Sequence, residues 1–94
     1  MADNVNKYKL IRSDKIIMRE IEILLESIDD VKNFVQTMAM FDGDFEMVSG
    51  KYVVDAKSIL GVFCLDLSKP VTLRIDCDES KMDDVLKTIE KYKK

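Results

Sequence analysis

Hydrophobic and polar residues alternate from Ile17 to Leu25. Ile17, Arg19, Ile21, Ile23 and Leu25 share one face, apolar but for the arginine; Met18, Glu20, Glu22 and Leu24 share the other. A period of two predicts a half-buried strand. The period then changes. Val31, Phe34, Val35, Met38 and Phe41 fall on one helical stripe, which predicts a helix over Ser27–Phe41. Ser27-x-x-Asp30 has the form of a capping box with Asp in place of Glu, and Asp29 and Asp30 stand where a helix dipole favours negative charge. Gly43 is placed to end that helix or make a turn. Asp44–Val48 and Tyr52–Val54 read as a hairpin around Ser49-Gly50-Lys51. Ser58 heads a short apolar run, Ile59 to Leu65, and reads as the N-cap of a helix of about two turns. Pro70–Asp76 alternates again, with Val71, Leu73 and Ile75 on one face. Glu79–Lys94 closes the chain as a helix, with Ser80 and Asp83 capping it and Met82, Val85, Leu86 and Ile89 as its stripe. Lys87, Lys91, Lys93 and Lys94 load its C-terminal end with positive charge.

The element order is β-α-β-β-α-β-α. One-sided helical stripes among alternating strands imply an α+β fold, with a four-stranded antiparallel sheet, helices on one face and the other face mostly wet. Pattern alone also fits a ferredoxin-like sandwich. The short middle helix and the third helix after the last strand weigh against that form.

At 94 residues the chain fits one domain. Apolar residues at 47% and charged ones at 35% are ordinary for a soluble globular chain. The net charge of -3 and pI near 4.9 argue against nucleic-acid partners. With neither a membrane-spanning run nor a signal-peptide pattern, the expectation is a cytoplasmic protein that does not engage membranes. Cys64 and Cys77 form no metal or disulfide pattern and read as buried free thiols. The pairs Asp42/Asp44 and Asp76/Asp78 read as solvated turn residues, and Met38, Met40 and Met47 as core filling. There is no histidine. That absence removes the commonest general base, metal ligand and nitrogen phosphoryl acceptor, so neither metal, cofactor nor enzymatic activity is expected.

The stretch Gly50-Lys51-Tyr52-Val53-Val54-Asp55-Ala56-Lys57-Ser58-Ile59-Leu60-Gly61-Val62 resembles the segment of HPr that carries its regulatory serine. HPr is the small phosphocarrier of the bacterial sugar phosphotransferase system. The element order agrees over residues 16–94, which leaves 1–15 as an N-terminal extension. The resemblance implies an open-faced β-sandwich. It further implies that Ser58 is a site of regulatory phosphorylation by an HPr kinase/phosphorylase, and that Lys57, Ile59, Leu60 and Val62 dock on protein partners, a transcription regulator among them. Read from the residues alone, Ser58 is a helix cap and the apolar residues after it face the core.

The departures from the family fall at its phosphorylation motif. Counting back from Phe34-Val35 sets the family's His-x-Arg-Pro on Ser27-Ile28-Asp29-Asp30. Serine replaces the histidine, and aspartates replace the arginine and the proline. A phosphohistidine relay needs an imidazole acceptor and a cation to hold the phosphoryl group; here two carboxylates occupy that helix start. The expectation is therefore a non-catalytic HPr-like regulatory or binding protein, similar to the histidine-lacking catabolite-repression type within the family. That type relies in part on the arginine replaced by Asp29. The alternative is a small assembly module that uses the extension, with its Tyr8, Leu10 and Ile11, to pair with a sheet edge and form a homodimer, Ser58 being only a cap.

Overall fold

The computed structural model describes residues 15–94; the extension expected to form a homodimer lies outside the described residues apart from Lys15. The elements run β1 (Ile16–Ile23), α1 (Ile28–Ala39), β2 (Asp44–Ser49), β3 (Tyr52–Asp55), α2 (Ile59–Phe63), β4 (Val71–Asp78) and α3 (Glu79–Thr88), then a single 3₁₀ turn, Glu90–Tyr92. The order and the α+β class are those the periodicities predict. The sheet is antiparallel throughout, with strands in the order β1-β4-β2-β3.

Its register explains the division of faces. Ile21 pairs with Leu73, which pairs with Met47, and that row faces the helices. The next row, Glu20–Arg74–Glu46, points the other way. There Arg74 Nε meets Glu20 Oε2 at 3.1 Å and its Nη1 meets Glu46 Oε1 at 3.1 Å. The hydrogen bond to Glu20 is the main reason the guanidinium is held above its ordinary range. Phe34, Met38, Phe45, Met47, Leu73, Ile75, Val85 and Ile89 fill the space between sheet and helices with no measurable exposure or nearly none. No polar or charged residue is buried among the described residues.

Gly43 has φ +130, outside the range that suits an L side chain. A Cβ there would stand 2.6 Å from the Asp76 carbonyl oxygen. The glycine therefore lets the loop between α1 and β2 lie against β4, α1 itself having ended at Ala39 with Met40 as its cap.

Several expectations are corrected. β4 runs on to Asp78 with no turn before α3, and Asp78, not Ser80, caps the helix: its Oδ1 accepts from Ser80 N at 2.9 Å and Ser80 Oγ at 2.8 Å. Asp76 is likewise a strand residue. The last helix ends at Thr88 instead of Lys94. A 3₁₀ turn brings positions three apart into line, and here it carries Tyr92 inward after Ile89. The Tyr92 ring meets Phe34 edge-on at 5.6 Å, and its carbonyl accepts from Leu24 N at 2.8 Å. Lys94 N then donates to Glu22 O at 2.9 Å, so the chain end lies beside β1. Of the C-terminal lysines only Lys87 stands in the last turn of α3. Met40 is exposed, unlike Met38 and Met47. Cys64 is exposed too; only Cys77 is buried.

Candidate functional site

The helix start where the family motif falls is built by local hydrogen bonds. Ser27 is extended (φ -145, ψ 165), and its Oγ accepts from Asp30 N at 3.0 Å. Asp30 Oδ2 in turn accepts from Glu26 N at 3.1 Å, one residue before the position of the usual capping box. Such a cap stabilises a helix by about 1 kcal/mol. The serine is thus committed to the backbone, and Asp29 and Asp30 supply negative charge in the first turn. An incoming phosphate would meet like charge there.

Beside this start lies a groove of about 220 Å³ lined by Leu25, Glu26, Ser27, Ile28, Val31, Phe63 and Leu67. Ile28 is 64% exposed, Phe63 42% and Leu60 77%. Ile28 and Phe63 line the groove, and Leu60 stands three residues before Phe63 on α2. Phe63 was not singled out in the sequence. The available signal is its spacing: Leu60 and Phe63 are three apart, as are Ile59 and Val62, so a short helix carries two apolar sides and only one can face the core.

Ser58 caps α2 as expected. Its hydroxyl is exposed, and its Oγ accepts from Gly61 N at 3.3 Å. Gly61 allows α2 to lie close to β3, because a Cβ there would stand 3.3 Å from Val54 Cβ. The residues expected to dock part company around it. Leu60 is exposed and Ile59 half-buried, whereas Val62 is fully buried in the core and presents nothing to a partner. Lys57 is also otherwise engaged. Its ammonium donates to Phe41 O at 2.7 Å and Gly43 O at 3.3 Å, and lies 5.1 Å above the Phe45 ring. It ties the approach to α2 to the loop that ends α1. Ser58 does not line the groove that holds Ser27.

Among the described residues no group of His, Cys, Asp and Glu is arranged to hold a metal ion. No helix among them is long and apolar enough to cross a membrane. Burial, followed by the neighbouring Asp78 and Asp76 carboxylates, pushes the Cys77 thiol up, so it is a poor nucleophile.

Comparison with known proteins agrees with this architecture. Residues 30–94 match the family model described as the PTS HPr component phosphorylation site. The matched stretch begins after the positions of Ser27 and Asp29. A phosphocarrier protein HPr from Bacillus anthracis superposes with a TM-score of 0.62 at 19% identity, covering 86% of this chain and 100% of that one. An HPr-C-His from Thermoanaerobacter tengcongensis superposes with a TM-score of 0.56 at 24% identity, covering 81% of this chain and 91% of that one. At such identities the likeness is one of fold. No curated protein matches the sequence.

Proposed function

The chain belongs to the HPr family, and from that premise we propose that it is a non-catalytic regulatory protein that binds a protein partner and carries no phosphohistidine. The observation that carries this reading is the contrast at the start of α1. The phosphoryl-accepting end of the fold holds a serine locked into a cap and two aspartates, in a chain without histidine. The apolar surface beside it, Ile28, Leu60 and Phe63, stays open. Chemistry has been removed from the site while a contact surface has been kept. Contiguous exposed apolar residues are what a protein partner covers.

Ser58 is the regulatory position in this reading, phosphorylated by an HPr kinase/phosphorylase. Its exposed hydroxyl is available to a kinase. A phosphate adds close to two negative charges beside the exposed Leu60, which changes what that surface can bind. The docking residues are Leu60 and Ile59 with Phe63 and Ile28. Val62 supports them from the core, and Lys57 holds the loop behind them. A transcription regulator that needs the family's arginine would meet Asp29 instead, so the partner is one that tolerates acid at that point.

The test is incubation with an HPr kinase/phosphorylase and ATP, with phosphate mapped by mass spectrometry, beside Ser58→Ala. Incorporation at Ser58 that is absent in the variant is expected. No transfer, or transfer elsewhere, would remove the switch. Partner capture with wild type and Ser58→Asp should then differ, and Leu60→Glu should lose the partner.

A further inference from the structure

The two edges of the sheet are finished differently. At β1 the chain end lies alongside: Ile23 bridges to Lys93, and Lys94 N donates to Glu22 O at 2.9 Å. At β3 no strand among the described residues pairs with the outer edge. The groups which that edge offers follow from the hairpin. The two-residue turn Gly50-Lys51, with Gly50 at φ +60, closes on the pair Ser49–Tyr52. The pair that closes such a turn exchanges both backbone hydrogen bonds. By alternation Tyr52 and Val54 turn their backbone groups to β2, and Ala56 continues the series, its N donating to Phe45 O at 2.8 Å. The Val53 N–H and C=O and the Asp55 N–H therefore point away from the sheet, while Asp55 O accepts from Ser58 N at 3.0 Å. The side chains are open as well, Tyr52 being 66% and Val53 53% exposed. An exposed row of unpaired backbone groups is a template for another strand.

We propose that the outer edge of β3 pairs antiparallel with β3 of a second copy of this chain, about a two-fold axis at Val53. The strand is its own complement in that register. Val53 stands opposite Val53, and the two exchange N–H···O bonds with the groups the hairpin leaves over. Tyr52 of each copy stands opposite Val54 of the other, an aromatic against a β-branched residue, which is a favourable cross-strand pair. Lys51 of each copy comes beside Asp55 of the other. Neither residue forms a salt bridge among the described residues. Charge also rejects the neighbouring two-fold registers. Centring the axis on either end of the strand would set Asp55 on Asp55 or Lys51 on Lys51, and like charges directly opposite are destabilising. The axis stands perpendicular to the sheet, so the helices of both copies lie on the same side of one continuous sheet. The groove beside α1 contributes no residue to the contact, which is independent of the docking proposed there. A strand of 4 residues buries less than a permanent dimer does, so the pair forms at high concentration and parts on dilution.

The test follows the full-length chain from micromolar to millimolar concentration by sedimentation equilibrium and by ¹⁵N amide shifts. A dimer is expected to form as concentration rises, with shifts centred on Val53 and Asp55. Val53→Pro removes the outward N–H and no bond within the sheet, and should abolish the dimer. Lys51→Glu alone and Asp55→Lys alone should each weaken it roughly tenfold, since two attractive pairs become two repulsive ones. Mixed in equal amounts, those two variants should pair at least as tightly as wild type, because opposite charges then meet at both positions. Circular dichroism of dilute samples checks that each variant folds; should Val53→Pro not fold, the charge variants decide alone. A monomer at millimolar concentration would overturn the proposal and leave the edge to a strand of another protein. So would a dimer that the charge reversals or a folded Val53→Pro leave intact, shifts that map to β1 or to the helical groove, or a mixture no tighter than its parts.

Discussion

Replacing Lys57 by methionine separates two roles that the sequence leaves superimposed. Methionine keeps most of the apolar stem, which packs where the half-buried lysine now lies, and removes only the ammonium. The variant loses a 2.7 Å bond to Phe41 O, a longer one to Gly43 O, and the contact above the Phe45 ring. A hydrogen bond from a charged donor contributes about 1.5–3 kcal/mol. The low end applies, because the Phe41 carbonyl is only partly buried and regains some water. The cation–π contact adds about 0.5 kcal/mol at such a site. The sum is about 2 kcal/mol. At about 4–8 °C per kcal/mol for a domain of this size, Tm should fall by roughly 8–16 °C. Thermal and urea unfolding followed by circular dichroism measure it, with Lys57→Arg expected between wild type and Lys57→Met. A Lys57→Met protein within about 0.5 kcal/mol of wild type would behave as an ordinary surface variant. That result would refute the tie and return Lys57 to the docking surface.

Further outcomes follow from other contacts. Tyr92→Ala should lose about 3 kcal/mol, because a buried ring and its edge-on pairing with Phe34 go together; chemical denaturation checks it. Gly43→Ala should also destabilise, by at least about 1 kcal/mol, through its positive φ and the approach to Asp76 O. Iodoacetamide should modify exposed Cys64 and spare buried Cys77, whose thiol is pushed up, as intact-mass spectrometry would show. The Ser68 hydroxyl is the main cause that holds Asp66 below its ordinary 3.8. A depressed folded pKa contributes stability that is present above the unfolded value and lost as pH falls through the folded one, so Ser68→Ala should flatten the acid limb of the stability curve below about pH 4.

β4 and the first helix were legible because each buries one regular stripe, and β1 because its inward row is apolar but for Arg19. Ile17–Leu25 and the alternation of Val71, Leu73 and Ile75 leave no other face to bury. Elements set by tertiary contact were not legible. A helical pattern continues through Lys94, but Tyr92 reaches Phe34 only if the chain tightens after Thr88 and turns beside β1. Asp78 could not be recognised as a cap until β4 was known to run straight into α3. At the candidate site the sequence located Ser27 and Ser58 as caps, because capping is a local hydrogen bond. It did not divide Leu60 and Phe63 from Val62, since a five-residue helix is too short for periodicity to choose its inward side. Nor did it show where Lys57 points; the carbonyls that hold its ammonium lie fourteen and sixteen residues earlier in the chain.

Under the proposed function this HPr-family fold serves binding and relays no phosphoryl group. The most direct measurement is incubation with phosphoenolpyruvate and enzyme I of the phosphotransferase system, followed by intact-mass analysis before and after acid treatment. The protein is expected to keep its unmodified mass throughout. An acid-labile phosphate, on Ser27 or on any other residue, would overturn the proposed function.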